Sequence, residues 1–130
     1  MWSASSRPAV AGLIYHRVGQ RSPSPVDLDA ATFARQLDVL SASGRVVSLD
    51  EAMARLRAGV DERDGPSIVI TVDDGTYDWP DVLMPALVER GLPATFYVST
   101  DFVERQRPFP DEGAPVSWDG LADMLSTGLA

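Results

Sequence analysis

The stretch Ile68-Val69-Ile70-Thr71-Val72-Asp73-Asp74-Gly75 decides the fold of this chain. Its first five residues are apolar or β-branched with no polar alternation, which is typical of a strand buried on both faces of a parallel sheet. Asp73 and Asp74 close the strand, and Gly75 follows them directly. In α/β folds the carboxyl ends of parallel strands carry the chemistry. The pattern therefore predicts a functional site at this acidic pair, with a divalent metal as the leading candidate ligand.

Strand-like and helix-like segments alternate along the rest of the chain. Strands are predicted at 10–15, 45–48, 68–72 and 94–98, and helices at 30–43, 49–58, from Pro80 or Pro85 to 90, and 118–125. Segments 20–28 and 100–116 are predicted as loops, and 61–66 as a surface turn. This alternation indicates an α/β fold with a parallel sheet and right-handed crossovers.

Two architectures satisfy that alternation, an open doubly wound sheet and part of a barrel of the TIM type. A full barrel needs about 200 residues or more. We therefore expect residues 1–130 to form a single domain, either roughly half of a barrel or a small open sheet.

Composition excludes several classes of function. The net charge of -8 argues against nucleic acid and anionic membranes as partners. The chain has no cysteine, and all 11 basic residues are arginine, so thiolate and lysine mechanisms are excluded. No apolar stretch approaches the roughly 20 residues of a membrane span. The first eight residues lack the pattern of a secretory signal, and the sequence leaves localisation open.

An adjacent acidic pair has other known uses, which the sequence disfavours. Receiver-type phosphotransfer domains hold Mg²⁺ with such a pair, but they also use a lysine. Haloacid-dehalogenase phosphatases separate their two aspartates by one residue, whereas Asp73 and Asp74 are neighbours. Asp-Gly is also a common hairpin turn, but here a helix rather than a strand is predicted to follow.

Several motifs in order resemble one enzyme family. Thr71-Val72-Asp73-Asp74-Gly75 resembles the Thr-Phe-Asp-Asp-Gly signature of polysaccharide deacetylases (NodB homology, carbohydrate esterase family 4), with valine in place of phenylalanine. The run from Gly91 to Val98 is similar to the family's entry into its next strand. Leu13-Ile14-Tyr15-His16-Arg17-Val18 is similar to the Tyr-His opening of one branch. The resemblance implies the N-terminal portion of a deacetylase, folded as a parallel-stranded, incomplete (β/α) barrel.

The resemblance also implies roles for individual residues. Asp73 would be the general base that takes a proton from a metal-bound water, and Asp74 would be a ligand of the metal, with zinc favoured. His16 is predicted on the same rim, where it contacts substrate or orients an acid. The alternative for His16 is a core histidine bonded to backbone. Trp79 and Trp118 are predicted to pack in the core or a loop rather than to stack on sugar rings.

The metal site implied by the family is incomplete in this chain. The family adds a His-(Ser/Thr)-x-x-His motif after the segment that resembles 117–128, and His16 is the only histidine here. A catalytic zinc normally has three protein ligands. We therefore expect a metal-dependent hydrolase, removing acetyl groups from an N- or O-acetylated carbohydrate, that is inactive as this chain alone.

The alternative function is a non-catalytic remnant or module of the same fold that binds saccharide or a partner chain. In either case an open sheet edge predicts self-association, because it presents unpaired strand N–H and C=O groups. Family members often act at the cell envelope.

Overall fold

Three parallel strands form the central sheet, in the spatial order β1 (Val10–Tyr15), β4 (Ser67–Asp74) and β5 (Thr95–Val98). The structure is a computed structural model that describes residues 10–59, 65–110 and 113–130. The remaining elements, in chain order, are β2 (Arg17–Val18), β3 (Asp27–Leu28), α1 (Ala30–Ser43), α2 (Leu49–Ala58), a π-helical turn (Trp79–Leu83), α3 (Met84–Arg90), α4 (Thr100–Arg105) and α5 (Trp118–Leu125). The predicted α/β class is confirmed.

β4 is the central strand, as its apolar sequence predicts. Tyr15 of β1 is in register with Val72, and on the other side Tyr97 of β5 is in register with Asp73. Ile70 and Val72 are completely buried, because neighbouring strands cover both edges of β4 and helices pack on the sheet. All three strands run parallel, so their carboxyl ends meet at one rim.

The helices begin and end where local sequence signals place them. Ser48 accepts a hydrogen bond from the backbone N–H of Glu51 at 3.2 Å and caps α2. Ser117 caps α5 in the same way through the N–H of Gly120 at 3.0 Å. Gly44 ends α1 in the left-handed conformation, with φ of 63°. None of the helices in the described residues is long and apolar enough to cross a membrane.

Three local predictions are wrong. Segment 45–48 makes only an isolated bridge, Val46 to Ile68, because Ser48 already caps the next helix and leaves no room for a ladder. Segment 20–28 is not entirely loop, since Asp27–Leu28 pairs in parallel with Arg17–Val18. Segment 100–116 contains the helix α4. The prolines of this segment all lie beyond Arg105, so they do not interrupt that helix. Residues 61–64 of the predicted turn lie outside the described residues.

The main core lies between the sheet and the helices α1, α3 and α5. Its largest completely buried side chains include Phe33, Leu37, Ile70, Trp79 and Leu83. A second, smaller cluster of Val47, Ala52 and Val69 lies under α2. The main core extends to Val72, immediately before the acidic pair, so the site adjoins the main core.

Candidate functional site

Asp73 and Asp74 lie at the carboxyl end of β4, at the rim where the three parallel strands end. Asp74 is in register with Val98 of β5, and its carbonyl accepts a hydrogen bond from the Ser99 N–H at 2.9 Å. Both aspartates are partly buried. The structure therefore places the acidic pair in a strand at the sheet rim and not in a hairpin turn.

The backbone at this strand end is strained. Asp74 has φ of 86°, in the left-handed region that few residues other than glycine adopt. Asparagine and aspartate tolerate this region best, and for L-residues it costs about 1–2 kcal/mol. Gly75 follows with φ of 100°, and a methyl group there would lie 3.4 Å from a Val98 side-chain carbon. Strain of this kind clusters at functional sites, where surrounding structure holds it in place.

The two carboxylates have no partner within the described part of the chain. Neither Asp73 nor Asp74 makes a side-chain hydrogen bond or an ion pair there. Carboxylate oxygens are the ligands that hard divalent cations take in proteins. The chemistry of this pair therefore favours a hard cation or an acidic proton of a substrate.

The described residues do not complete a metal centre. They contain no group of three histidine, cysteine, aspartate or glutamate side chains placed to hold one ion. A catalytic zinc needs three protein ligands, so the acidic pair does not fit such an ion without further ligands.

His16 directly follows β1 on the same rim. Tyr15, the last residue of β1, is in register with Val72 of β4. His16 follows Tyr15 just as Asp73 follows Val72, at the same end of the sheet. His16 is partly buried, and its carbonyl accepts a hydrogen bond from the Trp79 Nε1–H at 2.8 Å. His16 thus follows β1 at the end of the sheet where Asp73 and Asp74 close β4, and its role in the site stays a prediction.

The segment after Gly75 joins the rim to a loop from the C-terminal part of the chain. The Gly75 carbonyl accepts from the Val116 N–H at 2.8 Å, and the Tyr77 N–H donates to the Ala114 carbonyl at 2.9 Å. Thr76 forms an isolated antiparallel bridge with Pro115. This loop therefore lies against the segment that follows the acidic pair.

Asp78 is a buried carboxylate whose importance the sequence reasoning missed. It is 3% exposed, and its Oδ2 accepts a hydrogen bond from the Val18 N–H at 2.9 Å. Burial raises the pKa of Asp78, and the hydrogen bond from Val18 offsets part of that rise. The available signal was a third aspartate shortly after the pair, inside an otherwise apolar turn.

The two tryptophans differ in environment. Trp79 is completely buried in the core and packs edge-on against Phe96 with ring centroids 5.0 Å apart, as predicted. Trp118 is 49% exposed, and its Nε1–H donates to Glu104 at 2.8 Å. It lines an apolar groove of about 690 Å³ that runs along β5 and α5. None of the three site residues predicted from the sequence lines that groove.

Comparisons with known proteins agree with this architecture. A family model described as polysaccharide deacetylase matches residues 61–130. The structure of IcaB from Ammonifex degensii superposes with a TM-score of 0.79 and 30% identity, over 93% of this chain and 50% of that one. No curated protein sequence matches the chain.

Two further solved structures share the fold at lower identity. The Streptococcus pyogenes deacetylase PplD, in complex with acetate, gives a TM-score of 0.75 at 20% identity, over 94% of this chain and 54% of that one. A de-N-acetylase from Aggregatibacter actinomycetemcomitans gives 0.72 at 23% identity, over 92% and 52%. The chain thus spans about half the length of the solved structures it matches.

Proposed function

The chain belongs to the polysaccharide deacetylase family, and from this premise we propose that it carries the acidic-pair portion of a carbohydrate deacetylase. Its parallel sheet and helices form part of a (β/α) barrel, as the expected fold class required. The proposed reaction is hydrolysis of an acetyl group from an N- or O-acetylated carbohydrate. The observation that carries the proposal is the strained Asp74 beside Asp73, two carboxylates without partners in the described chain, at the sheet rim.

Each rim residue has a proposed role in that hydrolysis. Asp73 accepts a proton from the attacking water, whose oxygen bonds to the acetyl carbon. The bond from that carbon to the sugar nitrogen or oxygen then breaks, and the leaving nitrogen or oxygen takes up the proton that Asp73 accepted. His16, which directly follows the neighbouring strand β1, contacts the substrate.

The cofactor proposed for this reaction is a divalent metal, with zinc favoured by the family resemblance. Asp74 is proposed as one oxygen ligand of that metal. Because the described residues do not supply three ligands, the remaining ones must come from other residues. Because His16 is the only histidine in the sequence, we propose that this 130-residue chain is inactive by itself.

A chimera tests the proposal more sharply than the chain alone. The chain is joined to the half of the Ammonifex degensii IcaB structure that it does not cover, and acetate release from an acetylated glucosamine oligomer is measured with added Zn²⁺. We expect release by the chimera and none by the chain alone. Asp73→Asn should reduce release by about 10²-fold or more, as loss of a general base does. Asp74→Asn should reduce it as well.

The controls separate folding from chemistry. A chimera that unfolds cooperatively yet releases no acetate would overturn the hydrolase assignment. It would favour the alternative, a non-catalytic module that binds saccharide or a partner chain. Equal release by the parent chimera and its Asp74→Asn variant would remove the metal role of Asp74. The apolar groove along β5 is the surface that supports the binding alternative and the proposed self-association.

A further inference from the structure

The residues that follow the acidic pair reach back across the sheet to the segment after β1. The Asp78 carboxylate accepts from the Val18 N–H at 2.9 Å, and the Trp79 Nε1–H donates to the His16 carbonyl at 2.8 Å. These two consecutive side chains therefore hold the backbone on either side of Arg17. We infer that Asp78 and Trp79 are positioning residues that fix His16 beside Asp73.

Both side chains act from within the protein and not on a ligand. Trp79 is completely buried, and Asp78 is 3% exposed. A buried N–H or carbonyl that loses its partner is costly, so each of these hydrogen bonds constrains the local backbone strongly. The proposed effect of these two side chains on the site acts through the backbone around His16.

The segment that carries these residues is itself anchored to the rim. Tyr77 donates its N–H to the Ala114 carbonyl, and Thr76 bridges Pro115, so residues 76–79 cannot shift freely relative to the acidic pair. The π-helical turn that begins at Trp79 continues directly into α3 and the main core. The clamp formed by Asp78 and Trp79 thus connects the backbone of His16 to the main core, which also contacts the strand that carries Asp73.

The chain beyond His16 is held separately. The Asp27 carboxylate accepts from the backbone N–H groups of Gln20 and Ser22 at 2.9 and 2.8 Å. The Gly19 N–H donates to the Leu28 carbonyl at 2.7 Å. Because these bonds close the turn between β2 and β3 without involving Asp78, losing the clamp should release His16 and leave the turn formed.

The inference rests on the proposed function only for the use made of His16, and NMR tests it on the whole chain without any activity assay. His16 is the only histidine, so its imidazole gives a single set of resonances. Asp78→Ala and Trp79→Phe should shift and broaden those resonances, and Trp79→Phe should also move the His16 carbonyl ¹³C resonance. Asp78→Ala should speed hydrogen exchange of the Val18 amide by about tenfold or more relative to the Ile70 amide.

Matched variants separate positioning from general destabilisation. Asp81→Asn removes a neighbouring exposed charge and should leave the His16 resonances in place. Val47→Ala weakens the other cluster and should change exchange at Val18 and Ile70 together. Asp78→Asn keeps an acceptor oxygen for Val18 and should restore most of the protection.

The result that overturns the inference is an unchanged His16 ring in Trp79→Phe and in whichever Asp78 variant folds. Trp79→Phe keeps an aromatic ring against Phe96, so it tests the clamp even if Asp78→Ala fails to fold. If the chimera releases no acetate while the His16 resonances respond as expected, the proposed function fails and the clamp stands.

Discussion

Replacing Asp74 by glycine should make the protein more stable while it removes a proposed site residue. Asp74 has φ of 86°, which glycine adopts without penalty. Relief of left-handed strain contributes about 1–2 kcal/mol. Glycine's greater conformational freedom in the unfolded chain lowers the free energy of unfolding by about 0.5–1 kcal/mol. The net expectation is that Asp74→Gly raises the free energy of unfolding by about 0–1.5 kcal/mol.

The neighbouring aspartate supplies the matched control. Asp73 lies in β4 and has no positive φ, so Asp73→Gly relieves no such strain and should lower the free energy of unfolding by about 0.5–1 kcal/mol. Both variants remove one carboxylate of the same pair, so the change in charge repulsion largely cancels between them. The two variants should therefore differ by about 1–2 kcal/mol, with Asp74→Gly the more stable of the two.

Urea unfolding, followed by circular dichroism and tryptophan fluorescence, measures this difference. A gap of about 1–2 kcal/mol corresponds to a difference in Tm of roughly 4–8 °C for a domain of this size. If Asp74→Gly is no more stable than Asp73→Gly, the strain at the rim is not stored in Asp74 and the reasoning fails. In the chimera, the same Asp74→Gly variant should be more stable and should lose acetate release, which is the usual trade between stability and function.

Three further predictions concern the rim, the buried carboxylate and the sheet edge. Gly75→Ala should cost about 2–3 kcal/mol and Gly91→Ala only about 1 kcal/mol, because Gly75 has φ of 100° against the Val98 side chain while Gly91 has φ of 61° in open space. Equal costs in urea unfolding would contradict this. Burial raises the folded-state pKa of Asp78 above its ordinary 3.8, so its contribution to stability is present below that value and is lost as pH rises through the raised pKa. Asp78→Asn should lack this component, and unfolding free energies measured from about pH 4 to about pH 7 should show parent stability falling relative to the variant. In sedimentation velocity the parent chain should associate as its concentration rises. Leu125→Arg, beside the groove, should reduce this association, whereas Val88→Arg on another exposed face should not; a parent that stays monomeric would refute the proposed self-association.

Much of the fold could be predicted because its signals are local. A strand covered on both sides is apolar at every position, so Ile68 to Val72 identified β4 without knowledge of its neighbours. Ser48 and Ser117 identified helix starts because a cap bonds to an amide three residues away. The prediction of a strand at 45–48 failed because strand pairing depends on a partner that is distant in sequence. The prediction of a loop at 100–116 failed because the helix at its start has only weak local signals.

The candidate site was likewise predictable only where its signals are local in sequence. The sequence by itself determined that Asp73 and Asp74 end a buried strand, because a strand's burial and its last residues are written in consecutive positions. Only the tertiary structure decided that the Asp78 carboxylate accepts from the Val18 N–H and that the Trp79 indole donates to the His16 carbonyl. These contacts join residues about 60 positions apart, and their register depends on how β1 docks on β4, which short-range patterns do not encode.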